Sequence, residues 1–288
     1  MLISNPTDAI ALLLATAAAT AALAFGRSRA SGTTLVAVWS WSAITLAAIV
    51  TVEFSALLAS DQAAAWVAPA RFAAAMSSFC PPMALLGAKR PQDRAWQFIV
   101  LALWLVLSLP SIEWLLFGGI EEIHPARFWF LVILVGTATM NGLVTRYWPS
   151  ILLTAGAQLA LVVPHLAQST GWFNGSRGPL VAISLYALAW YLVAIKYPRQ
   201  RGARLGVDRV WLDFRDDYGA VWALRVAQRV NDSAARYDWP VVLLWHGFAY
   251  RDRDDPVAET APAVEDSLRT LLRRFVSPAW IDQRNEDN

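Results

Sequence analysis

Over the first two-thirds of the chain, long apolar runs alternate with short polar ones. Seven runs stand out, at 8–25, 34–58, 63–87, 95–117, 126–145, 149–167 and 179–196. Each is apolar on all sides and is close to, or beyond, the roughly 20 residues of helix that cross a hydrocarbon core of about 30 Å. The pattern then changes. From Val207 the apolar positions Trp211, Phe214, Tyr218, Trp222 and Val226 recur every three or four residues, the period of an amphipathic helix, with Gly219 interrupting it. The run 241–250, rich in β-branched and aromatic residues, predicts a strand, and the charged stretch 251–256 a loop. Val264, Leu268, Leu271, Leu272 and Phe275 fall on one face of a second helix, with Pro262 in its first turn, and residues 282–288 are expected to fray. The fold class that follows is a membrane all-α protein of about seven transmembrane helices (residues 1–196) with a small C-terminal α/β tail, helix–strand–helix (residues 197–288).

Composition agrees. The chain is 57% hydrophobic and only 16% charged, against about 25% charged in a soluble domain. Ten of the 24 Lys and Arg and seven of the 22 Asp and Glu lie in residues 1–196, so the last third holds most of the charge. Basic residues also choose sides. Arg27, Arg29, Lys89, Arg90, Arg94, Arg146, Lys196, Arg199, Arg201 and Arg204 fall on alternate connections, while only Arg127 and Arg177 fall on the others. Positive residues stay on the cytoplasmic side, which orients the chain N-out and C-in and makes the tail cytoplasmic. The first run has Asp8 and no Lys or Arg before it, so it reads as a retained span and not as a signal peptide. With 22 Arg against 2 Lys and abundant Ala, the expected location is the bacterial cytoplasmic (inner) membrane, as a multi-pass protein. A near-neutral tail gives no reason to expect nucleic acid as a partner. A tail this small is expected to pack on the membrane domain, on a second copy, or on a cytoplasmic protein partner.

Ionisable residues inside a bilayer are costly and mark candidate sites. Glu53, Arg71, Glu113 and His165 come from four different runs, and the topology puts all four in the outer third, an intramembrane polar cluster. Two arrangements suit them: a polar cavity built around Arg71, or a Glu53–Arg71 ion pair fastening two neighbouring helices with Glu113 reaching the headgroups. Glu121, Glu122 and His124 show no zinc-ligand spacing, so no metal is expected, and no cofactor motif is present. Lys196 lies at the end of the last run, not in its middle, which argues against a retinal Schiff base. Cys80 reads as a small buried hydrophobe. Pro81-Pro82, Pro110 and Pro164 predict kinks, and Asn141 and Gln158 predict hydrogen bonds between helices. In the tail, Asp213, Asp216 and Asp217 interleave with Arg209 and Arg215 as a solvated face, and His246 reads as a structural histidine within a strand. The aromatic face Trp211, Phe214 and Trp222 is the candidate partner-binding surface.

No G-x-S-x-G, H-E-x-x-H or P-loop occurs, so no catalytic residue is expected. The sequence points to a non-enzymatic integral membrane protein anchoring a cytoplasmic partner-binding tail. The alternative is a small-solute or proton-coupled carrier using the outer Glu/Arg cluster. What weighs against it at this level is the lack of a visible polar series across the inner half.

Overall fold

The computed structural model describes residues 6–58, 65–118, 125–165, 175–195, 206–250 and 257–286. Nearly all of them are helical. The first part of the chain forms α1 (Pro6–Ala30), α2 (Val36–Leu58), α3 (Val67–Ser77), α4 (Cys80–Leu86), α5 (Gln92–Leu107), α6 (Leu109–Phe117), α7 (Pro125–Leu143), α8 (Trp148–Val162) and α9 (Arg177–Ala194). Over the described residues every apolar run is therefore mainly helix. Not every run is one membrane-length helix: α1, α2, α7 and α9 are long and apolar enough to cross a membrane, and α5 with α6 makes a fifth if the pair is one span bent by 42°.

Proline accounts for the interruptions. A helical proline supplies no N–H to the carbonyl four residues before it. Pro81 and Pro82 thus separate α3 from α4, Pro110 follows the bend at Ser108, and Pro164 turns the end of α8 into a short 3-10 turn, Val163–His165.

The helices pack as an arc. α7 lies on α8, α8 on α9, α9 on α1, α1 on α2, and α2 on α3 and α4, which in turn hold α5 and α6. Contact between α3 and α8 closes the arc on itself. Small residues permit these approaches: a Cβ on Gly26 would stand 2.8 Å from the Trp190 ring. Large apolar side chains such as Phe25, Phe98, Leu116, Phe117, Trp129 and Met140 point outward, a surface suited to lipid tails and not to water.

The tail forms α10 (Gly206–Arg236), a hairpin of β1 (Val241–Leu244) and β2 (Gly247–Tyr250), α11 (Val257–Leu272) and α12 (Pro278–Glu286). Three expectations are corrected here. The single strand at 241–250 is an antiparallel hairpin, Val241 pairing with Tyr250 and Leu244 with Gly247. It turns at Trp245 and His246, because Gly247 takes φ 125° and Asp208 Oδ1 accepts the Phe248 N–H at 2.7 Å. His246 accordingly sits exposed at a hairpin tip, outside any strand. The end expected to fray is helical through Glu286, pinned by Arg284 on Asp213 (2.9 Å) and Asn285 on Glu265 (2.8 Å).

The tail is not a loose appendage. Thr34 N donates to Phe275 O (2.9 Å), Ser277 N to Gly32 O (2.7 Å), Arg90 N to Arg274 O (2.8 Å) and Trp222 Nε1 to Leu85 O (2.9 Å). Leu85 of α4 and Leu35 and Ala88 of the helix connections join Trp211, Phe214, Tyr218, Trp222 and Phe275 in one apolar core. The loops 31–35, 87–91 and 144–147 therefore lie at the same end of the bundle, capped by the tail. The basic residues Lys196, Arg199, Arg201 and Arg204, the acidic Asp61, and the loop 251–256 lie outside the described residues.

Candidate functional site

Glu53 falls on the buried stripe Trp41, Thr45, Ile49, Glu53 of α2. Arg71 on the adjoining α3 reaches it with two parallel bonds, Nε to Oε1 and Nη2 to Oε2, both 2.7 Å. This fork is the strongest geometry available to an arginine and a carboxylate. Only 1% of the Glu53 side chain and 21% of the Arg71 side chain is exposed. Leaving either charge alone here would cost several kcal/mol, so each residue requires the other. His165, 7% exposed, stands edge-on to Phe72 with ring centroids 5.2 Å apart. Glu53, Arg71 and His165 share one cavity of about 270 Å³ with Ile49, Leu161 and Pro164, at the end of the bundle away from the tail.

Three of the four expected cluster residues thus meet. Glu113 does not: it lies on the exposed side of α6 and does not line the cavity. The bend at Ser108 swings α6 out of line with α5 and carries Glu113 away.

Directly below lies the break between α3 and α4. In a continuous helix the N–H groups of residues 81 and 82 would bond to the carbonyls of Ser77 and Ser78. Both residues are proline. The two orphaned carbonyls are taken up from neighbouring helices, Ser77 O by Thr45 Oγ1 at 2.9 Å and Ser78 O by Gln158 Nε2 at 2.8 Å. Cys80, fully buried beside Trp41, Ala84 and Val100, is packing at this break.

Beyond the break opens a second cavity, again about 270 Å³, reaching down to the tail. Its walls are mostly apolar, but a polar series runs its length: Thr45, Ser78 and Gln158 at the deep end, then Thr154, Ser150 and Thr139, then Arg29, Tyr147, Asp216 and Asp217 at the tail. The series is not visible in the sequence as one feature because its members are spread over five helices, the α3–α4 break and the α7–α8 connection; only α8 carries several of them, Ser150, Thr154 and Gln158, each four residues apart. Only one turn separates the two cavities. On α2 the linings pass from Ile49 to Thr45, at the end of α3 from Ala74 to Ser78 and on α8 from Leu161 to Gln158, steps of about 4.5–6 Å along the axis.

The floor is a buried charge network. Arg146, in the short connection between α7 and α8, meets Asp213 at 2.8 Å, Asp216 at 3.6 Å and Asp217 at 3.8 Å, and donates to the Tyr147 hydroxyl at 2.9 Å. Arg284 takes the other oxygen of Asp213 (2.9 Å) and Arg215 binds Asp216 (2.7 Å). The acidic run is therefore no solvated face, because Arg146 draws it against the bundle. Burial pushes the Asp217 carboxyl up to about 6 despite the Arg146 charge, and burial together with Asp217 pushes the Tyr147 phenol up to about 12. At Gly219 the chain takes φ 76° and α10 kinks, and Asn141 Oδ1 of α7 accepts the Val221 N–H at 2.9 Å. Asn141 thus caps the second half of α10 from another helix.

The expected partner face is also corrected. Trp211 and Phe214 are 0% exposed and Trp222 7%, since the loops 31–35 and 87–91 cover the side that the helical period left open. Among the described residues no group of three or more His, Cys, Asp or Glu is placed to hold a metal ion. Glu121, Glu122 and His124 lie outside the described residues. No protein-family model, curated protein or solved structure matches the chain.

Proposed function

We propose that the chain is a seven-pass carrier of the bacterial inner membrane, N-out and C-in, that moves a small solute between its two cavities without covalent chemistry. Counting seven passes takes α3 with α4, Val67–Leu86, and α8 with its 3-10 turn, Trp148–His165, as one pass each. At 1.5 Å per residue these measure about 30 and 27 Å, enough to cross. The three loops under the tail carry Lys89, Arg90 and Arg146, the bias expected of a cytoplasmic side.

The observation that carries the proposal is the alignment of the two cavities across one turn of protein, at a broken helix. Irregular backbone at membrane depth is tolerated where it lines a cavity, and carriers place their binding sites at such breaks. Rocking α4 about Ser78 and Phe79 would exchange which cavity reaches the septum. The polar series of the tail-side cavity supplies what the sequence alone did not reveal. The partner-anchoring alternative loses its main support with the burial of Trp211, Phe214 and Trp222.

Side-specific labelling tests this. In a Cys80→Ala background, Ala68→Cys in the outer cavity is expected to react with a membrane-impermeant maleimide from outside only. Thr154→Cys in the tail-side cavity is expected to react from the cytoplasmic side. Reaction of both from the same side, or of Thr154→Cys from neither, would sink the carrier reading.

A further inference from the structure

The tail-side cavity holds two charges that the protein satisfies only in part. The Asp217 carboxylate lines the cavity, and its nearest cation, Arg146, stands 3.8 Å away, beyond hydrogen-bond distance. Arg146 is engaged more closely by Asp213 (2.8 Å) and Tyr147 (2.9 Å). Arg29 lines the same cavity and donates only to neutral acceptors, the Tyr147 hydroxyl and the Ala194 carbonyl, both at 3.2 Å. Among the described residues it has no carboxylate partner. A loosely paired anion, Asp217, and a cation bonded only to neutral acceptors, Arg29, thus flank the Tyr147 hydroxyl. A third group joins them: Ser150, 3% exposed, lines the cavity and its hydroxyl has no hydrogen-bond partner. Above this floor the wall is apolar and aromatic, with Trp39, Trp190 and Tyr186.

We propose that the tail-side cavity binds a small zwitterion with an apolar body, its ammonium group on Asp217, its anionic group on Arg29, and its apolar part against Trp39 and Trp190. Opposite charges on one ligand match these two groups, and neither half alone does. The volume suits a molecule of the size of an aromatic amino acid, at the lower end of small-ligand pockets (about 300–1,000 Å³). The same chemistry is offered by the headgroup of a zwitterionic lipid. The assignment names the substrate class of the carrier reading and rests on it for transport, not for binding.

Equilibrium dialysis with the purified full-length protein in lipid nanodiscs tests it. The probes are phenylalanine, phenethylamine (no anion), phenylacetate (no ammonium) and lysophosphatidylethanolamine. Phenylalanine is expected to bind about ten- to a hundredfold more tightly than either half. Asp217→Asn is expected to erase its advantage over phenylacetate while keeping that over phenethylamine. Arg29→Gln is expected to do the reverse. This crossed pattern cannot arise from partial unfolding, and Ala138→Leu, which fills the cavity, is expected to abolish it. If phenylalanine does not bind but lysophosphatidylethanolamine does, and both Asp217→Asn and Arg29→Gln weaken it, the site stands and its ligand is a lipid. Equal binding of all probes, or the same loss of both preferences in both variants, overturns the assignment. Binding with the crossed pattern but without flux across sealed vesicles would remove the carrier reading and leave the site.

Discussion

Gln158 Nε2 donates to the Ser78 carbonyl at 2.8 Å, the carbonyl that Pro82 leaves without a backbone donor. Thr45 does the same for Ser77, the carbonyl that Pro81 orphans. Two prolines and two polar side chains on different helices therefore form one device. It holds the α3–α4 helix open at its middle and satisfies the two carbonyls that the prolines orphan.

Gln158→Ala is expected to destabilise the protein by about 1–3 kcal/mol, the cost of a buried carbonyl left unpaired. Adding Pro82→Ala returns an N–H at the proper place, so the double variant is expected to melt above Gln158→Ala alone. Thermal unfolding in detergent reads both. A double variant no more stable than the single one would mean that the break is held by something other than these bonds.

The Glu53–Arg71 fork predicts strong coupling. Glu53→Gln or Arg71→Gln alone leaves a buried charge and is expected to cost about 3–5 kcal/mol. The double variant is expected to recover most of that, because neither charge is then left buried without its partner. Expression level and melting temperature of the three variants complete the cycle. Additive losses would show that the two charges do not depend on each other.

The pairing of Glu53 with Arg71 was legible in the sequence because consecutive apolar runs are usually neighbours in space. Whether Glu113 joins the pair or reaches the headgroups was not legible, because hydropathy gives depth but not direction, and the bend at Ser108 turns α6 aside. The helical period of Trp211, Phe214 and Trp222 was legible too. Its role was not, since a period shows that a face is apolar without showing what covers it. The cover comes from loops more than a hundred residues away. Asn141 and Gln158 were readable as hydrogen-bonding residues between helices, yet their partners are backbone groups freed by Gly219 and Pro82, which no pairing of side chains would suggest.

Gly219 is required twice over. Its φ of 76° disfavours any side chain, and a Cβ would stand 2.5 Å from Asn141 Nδ2 and 2.8 Å from Asn141 O. Gly219→Ala is expected to loosen the tail from α7 and raise proteolysis of the chain near Gly219. Asn141→Ala removes only the cap and is expected to cost about 1 kcal/mol. Limited proteolysis separates the two, and equal behaviour would remove the steric argument.

The shared core makes the tail dependent on the bundle. Ala88 and Leu85 pack on its aromatic residues, and the Trp222 indole donates to Leu85 O at 2.9 Å. Residues 197–288 expressed alone would expose that core, so no cooperative unfolding transition is expected by calorimetry. A sharp transition from the isolated tail would show an independent domain.

Asp217 makes stability depend on pH in a fixed direction. Burial raises its folded carboxyl to about 6, above the roughly 3.9 of an unfolded aspartate. Between these values the folded protein binds more protons than the unfolded chain, so stability falls as pH rises and the penalty is complete above about pH 6. Asp217→Asn cannot ionise. Relative to the native protein it is expected to gain stability as pH climbs from about 4 to 6, to keep that gain above 6, and to lose it below 4. Melting temperatures of the two proteins across this range provide the check. A difference that does not change with pH would mean that Asp217 carries its charge in the fold as easily as in water. The carboxylate that opens into the cavity would then be held by partners that its geometry does not reveal.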